Sequence, residues 1–173
     1  MGREAGMTCG KVRETGLLVF ISEAVFRRSV SCHGFAAPPE HCEWKFAEEK
    51  LYMYAFVENW LDSILEQPIP AEVAALNFNL YEEGGNNWSI ELVGTESFDL
   101  EDEEWGCDEI FDFGTRENPL VWEEEKMWNE ILGEMIQIMK RYMQEGKYAG
   151  VLKKYRGVGI GFVDGNIEIL FVQ

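Results

Sequence analysis

Gly157-Val158-Gly159-Ile160-Gly161-Phe162-Val163-Asp164-Gly165-Asn166-Ile167-Glu168-Ile169-Leu170-Phe171-Val172-Gln173 ends the chain, and two alternations meet in it. Val158, Ile160 and Phe162 alternate with glycines, and Ile167, Ile169 and Phe171 alternate with Glu168 and Leu170. Period-two alternation marks a half-buried strand. Between the runs stands Asp164-Gly165, a preferred pair for a type I′ turn, whose two central positions both need φ > 0. The predicted hairpin pairs Phe162 with Ile167, Ile160 with Ile169 and Val158 with Phe171. All six side chains then share one face, and Gly159 and Gly161 lie on the other. An apolar face of this kind needs a helix to cover it.

Trp128, Ile131, Leu132, Met135, Ile138, Met139 and Tyr142 recur at helical spacing and supply that cover. Asn118-Pro119 reads as the start of their helix, because Asn caps and Pro suits the first helical position. Glu123, Glu124 and Glu125 then fall in the early turns, Lys140 and Arg141 near the end, as the helix dipole favours, and Gly146 closes it. Another helix is predicted from Trp44 to Glu66, stopped by Pro68 and Pro70. Its stripe is Leu51, Tyr54, Ala55, Leu61, Ile64 and Leu65, widened by Tyr52, Phe56 and Trp60. Val73–Tyr81 and Trp88–Val93 alternate around Glu82–Asn87 and read as a second hairpin with a looser loop. Ile110 opens a short strand, with Phe111 and Phe113 inward. The order implies an α+β domain: an antiparallel sheet of about four to five strands with two long helices packed on one face.

A chain of 173 residues, 46% hydrophobic and 13% aromatic, is long enough for one buried core and too apolar for global disorder. The net charge of −17 is unevenly placed. Residues 1–43 hold five basic and five acidic side chains; residues 44–173 hold ten basic and twenty-seven acidic. The predicted division follows. Residues 1–43 form a poorly ordered or loosely docked extension, with one short element over Leu17–Phe26, and residues 44–173 form a single acidic domain. Its field repels nucleic acid and anionic membrane and attracts cationic partners. No apolar run reaches the ~18 residues of a membrane span. Arg3, Lys11 and Arg13 precede Leu17–Phe26, but Arg27-Arg28 sit where a signal peptide would be cleaved, so a cytoplasmic protein is expected.

Catalytic signals are weak. His33 and His41 both fall in the N-terminal segment, which leaves the acidic domain without the usual base or metal ligand. Cys32-His33 and His41-Cys42 mirror each other, but adjacent ligands suit no zinc finger. Asp99, Glu101 and Glu103 have the 1, 3, 5 spacing of a calcium loop, yet Glu104 stands at the glycine position and Ile110 at the closing glutamate. Gly157–Gly161 is not a dinucleotide fingerprint, since no helix follows. Cys107 sits among carboxylates, which raise a thiol pKa. The expectation is a protein that is not an enzyme and uses no metal or cofactor. A carboxylate–metal hydrolase and a homo-oligomeric module are the alternatives.

The stretch from Phe98 to Phe113 interleaves carboxylates with aromatic residues. Asp99, Glu101, Asp102, Glu103, Glu104, Trp105 and Asp108 are the predicted partner-binding residues. The carboxylates supply charge-assisted bonds to Lys and Arg, and Trp105 supplies a desolvated anchor. A solvated loop with Trp105 tucked into the core is the other reading of the same residues. Leu76–Glu82, Trp88–Gly94, Phe98–Phe111 and Gly161–Gly165 together resemble small bacterial proteins similar to the immunity proteins of polymorphic toxin systems. That resemblance spans about residues 48–172 and implies an α+β domain that neutralises a basic toxin by covering its active site.

Overall fold

The chain divides between Pro38 and Pro39, and the unit Pro39–Gln173 carries the fold. The computed structural model describes residues 40–173, with side chains from residue 50 onward except that of Glu103. Residues 1–39 of the predicted extension, its element over Leu17–Phe26 and the Cys/His side chains of residues 32–42 lie outside the described residues. Its last four residues, 40–43, belong instead to the first helix, which starts at Glu40 rather than Trp44.

The elements run α1 (Glu40–Ile64), β1 (Ala75–Gly84), β2 (Asn87–Thr95), a short 3-10 turn (Glu103–Cys107), β3 (Glu109–Phe111), β4 (Leu120–Glu123), α2 (Trp128–Glu145), α3 (Ala149–Leu152), β5 (Gly157–Phe162) and β6 (Glu168–Val172). Six strands form one sheet in the order β3-β2-β1-β5-β6, with β4 also paired to β2. The α+β class and the two long helices stand. Two features of the sheet differ from expectation: it has a sixth strand, and it is mixed, since β1 and β5 are parallel. The connection explains the direction. The chain leaves β4, crosses through α2 and returns in β5, and a helical crossover delivers a strand parallel to the one it left.

One core joins the helices to one sheet face. Leu76, Phe78, Leu80, Trp88, Ile90, Leu92, Val158 and Ile160 are buried there against Tyr54, Val57, Leu61 and Leu65 of α1 and Ile131, Met135, Ile138, Met139, Tyr142 and Met143 of α2. The α1 stripe is narrower than its sequence implied: Leu51 and Tyr52 are exposed. Each fully buried aliphatic side chain in this layer contributes roughly 1.5–3 kcal/mol. Polar contacts fix the helix pair. Tyr142 donates its hydroxyl to Asp62 at 2.6 Å, and the Arg141 guanidinium lies 3.7 Å from the centre of the Tyr54 ring.

Helix α2 begins at Trp128, not at Asn118-Pro119. Leu120–Glu123 is strand β4 instead, with Leu120 and Trp122 buried and Val121 and Glu123 exposed. Four residues show too little alternation to outvote a good capping signal. Trp88 also needs this strand, because its indole N–H donates to the Glu124 carbonyl at 2.9 Å.

The two hairpin loops exchange characters. Gly84 and Gly85 take φ of 89° and 64°, so the tight positive-φ turn joins β1 to β2. Neither Asp164 nor Gly165 has positive φ; the Gly165 N–H donates to the Phe162 carbonyl at 2.8 Å, and β6 does not start until Glu168. Val158 still pairs with Phe171, but Gly159 pairs with Ile169 and Ile160 with Glu168, leaving Leu170 as a bulge. The bulge turns Ile167 and Ile169 to the glycine face, where they pack with Ala75, Phe98 and Trp105. Packing on that second face outweighs the Asp-Gly turn preference.

Four phenols give the fold an alkaline limit, Tyr155 being raised by burial alone. Burial, then the bond to Glu58, pushes Tyr54 from 10.0 to about 12. Burial and the Glu91 carboxylate push Tyr81 from 10.0 to about 12. Burial and the bond to Asp62 raise Tyr142 as well. The unfolded chain loses these protons near 10 while the folded one keeps them. Their stabilisation is therefore complete below about pH 10 and falls as pH climbs toward about 12. Urea midpoints taken across that window should drop steadily, and less steeply for Tyr142→Phe.

Candidate functional site

The acidic stretch folds as a closed loop on the glycine face of the sheet. At its base the Glu96 N–H donates to the Asp108 carbonyl at 3.0 Å, and the Ser97 hydroxyl donates to the Asp108 carboxylate at 2.5 Å. Asp99 accepts the Glu101 N–H at 2.9 Å, and Asp102 caps the 3-10 turn by accepting the Glu104 N–H at 3.0 Å. Short side chains that bond nearby backbone in this way set turns. Asp99, Asp102 and Asp108 are thus part of what shapes the loop, and each remains exposed. Glu101 and Glu104 also project into solvent.

Trp105 corrects its predicted role. The side chain is 3% exposed, so it is not a surface anchor. Its ring sits edge-on to Phe98, with centroids 5.1 Å apart. The glycines of β5 make room for the pair. A Cβ on Gly157 would overlap the Phe98 ring, and one on Gly159 would lie 2.6 Å from Ile167 Cγ2 and 3.1 Å from Trp105 Cη2. Gly-x-Gly in β5 is a docking track for the acidic loop. Its price is polar: the Trp105 indole N–H and the Asn77 side-chain oxygen are buried there without a hydrogen-bond partner.

Beside the loop, at the β2–β3 edge, a buried carboxylate is held by its neighbours. Glu91 is 7% exposed and accepts the Tyr81 hydroxyl at 3.1 Å, while Arg116 bonds Glu109 at 2.5 Å and reaches to 4.0 Å from Glu91. The bond to Glu109 raises the Arg116 pKa. Cys107 is an exposed free thiol. Among the described residues no group of three His, Cys, Asp or Glu side chains converges as a metal site, and no helix is long and apolar enough to cross a membrane.

A second concavity was not anticipated. β1 and β5 run parallel, with Leu80 beside Phe162, so both reach their carboxyl ends at one edge. There Tyr81, Glu82, Trp128, Phe162, Asp164 and Glu168 help to line a cleft of about 760 Å³. Trp128 is 55% exposed although it opens the α2 stripe. Its ring stands at 89° to that of Phe162, centroids 6.3 Å apart, and Phe162 is in turn edge-on to buried Trp88 at 5.9 Å. Helical spacing assigned Trp128 to the core and strand alternation assigned Phe162 to it. The only sequence signal for the cleft is that the stripe begins with a tryptophan, a residue whose size leaves it at the margin. No family model matches this chain, and no curated protein or solved structure matches it.

Proposed function

We propose that this domain is a non-enzymatic, cytoplasmic binding protein that takes a basic protein partner on its acidic loop, in the way an immunity protein covers a basic toxin. One observation carries the reading: the loop bearing Asp99, Glu101, Asp102, Glu104 and Asp108 is pinned to the sheet by Phe98 and Trp105. The burial of Trp105 is what a solvated loop tucked into the core would also show. What favours a binding surface is that the pinned loop holds five carboxylates, Asp99, Glu101, Asp102, Glu104 and Asp108, exposed side by side. Pinning removes much of the ordering cost of binding and leaves carboxylates standing for charge-assisted bonds. The −17 charge would speed the approach of a cationic surface.

The test is affinity capture from the native cells at low and high salt, with the unaltered chain and with Glu101→Lys/Glu104→Lys. A basic protein retained at low salt should be weakened at high salt and lost with the double variant. Reversing two exposed charges should cut its association rate by about tenfold or more. Retention of the same protein by the variant, or capture of no basic protein at either salt, would reject the reading.

A further inference from the structure

The cleft at the carboxyl ends of β1 and β5 has walls and charges of an unusual combination. Trp128 and Phe162 form a right-angled aromatic corner, held from below by Trp88. Glu82, Asp164 and Glu168 are exposed around it, and no Lys, Arg or His lines it. Among the described residues none of these three carboxylates has an ion-pair partner, whereas Glu109, Glu124, Glu134 and Glu145 all do.

The kind of ligand follows by elimination. An anion would meet three carboxylates. The positive end of α2 lies nearby, but Glu130 already answers it by accepting the Met127 N–H at 3.0 Å. A hydrated metal ion would need converging oxygens, and no such group occurs among the described residues. A neutral apolar ligand would gain from the rings but nothing from the charges. An alkylated ammonium uses both. It carries its charge on a soft, weakly hydrated surface, lies well against an indole face, and is drawn by the carboxylates around it. The cleft volume is within the ~300–1,000 Å³ of small-molecule sites.

We propose that this cleft binds a small organic cation bearing an alkylated ammonium group, with Trp128 as its ring platform and Glu82, Asp164 and Glu168 as its counter-charges. The site is separate from the acidic loop and stands or falls without it. The test uses the full chain and two probes, choline chloride and its uncharged isostere 3,3-dimethyl-1-butanol, with sodium chloride matching the ionic strength. Indole N–H resonances are followed by NMR, Trp128 being identified by its loss in Trp128→Phe, and affinities are read by calorimetry. Choline should shift the Trp128 resonance saturably and bind at least about tenfold more tightly than the isostere. Trp128→Ala and the triple variant Glu82→Gln/Asp164→Asn/Glu168→Gln should each weaken choline by about tenfold or more. The triple variant should keep its thermal midpoint because the three carboxylates are exposed, and Trp128→Ala should lower it only slightly, by the lost ring contact with Phe162. Glu101→Gln/Glu104→Gln should leave it unchanged. Equal affinity for the isostere would reduce the cleft to an apolar groove. Loss of binding in the loop variant would reduce it to general charge attraction. An unsaturated response would overturn the site altogether.

Discussion

Gly157→Ala is expected to lower the stability of the domain by about 3 kcal/mol, the upper range for forcing one methyl group into a packed site. The added Cβ would overlap the Phe98 ring, so either the strand or the loop must move. Phe98→Ala removes the obstacle and should itself cost ~3 kcal/mol, since a largely buried aromatic ring is lost. The double variant is the informative one. Once the ring is gone the alanine has space, so Gly157→Ala/Phe98→Ala should cost little more than Phe98→Ala alone, a coupling of about 2–3 kcal/mol. Urea unfolding of the four proteins measures it, and simple additivity would show that Phe98 does not dock on Gly157. The same experiment bears on function. In Gly157→Ala the acidic loop loses its anchor, so limited proteolysis should cut within residues 99–104 before any other part of the domain.

Thr115→Val should destabilise the domain by about 2–3 kcal/mol despite its near-identical shape, because it strands buried backbone groups. Strand β2 has two partners on one edge, β3 at Gly94–Thr95 and β4 at Asn87–Ile90, and Leu92 falls in the gap between them. Thr115 fills that gap. Its hydroxyl accepts the Leu92 N–H at 3.0 Å and lies 3.0 Å from the Leu92 carbonyl and 2.7 Å from the Asp112 carbonyl, to which it offers its proton. The side chain is fully buried, so water cannot substitute. A tight turn brings it there: Phe113 holds a φ of 55°, rare for a bulky residue, and Gly114 follows at 71°. Hydrogen exchange at the Leu92 amide should accelerate in Thr115→Val and stay near the parent rate in Thr115→Ser. Unchanged exchange in the valine variant would show that the gap is closed by something else.

The legibility of this fold was uneven. Ile131 through Tyr142 declared their helix correctly, because a stripe at 3.6-residue spacing has no other backbone that buries it on one side. Leu76, Phe78 and Leu80 declared β1 in the same way. The Asn118-Pro119 and Asp164-Gly165 signals misled for a common reason. Each is worth of the order of 1 kcal/mol locally. The burial of Trp122 and Leu120 in one case, and of Ile167 and Ile169 against Trp105 in the other, is worth several times that. Of the site residues, the carboxylates of the acidic loop were legible as exposed charge. The burial of Trp105 was not, because its receptor is a row of glycines about fifty residues further along the chain.

By itself the sequence determined what contiguous residues can encode: two amphipathic helices, the β1–β2 hairpin, and a strongly negative net charge. The tertiary structure alone decided the parallel pairing of β1 with β5, the face to which β6 turns, the docking of the acidic loop on Gly157 and Gly159, and the aromatic cleft beside Trp128. All four depend on which distant surfaces bury one another. That choice is set by the summed packing of residues far apart in the chain, and no local period records it.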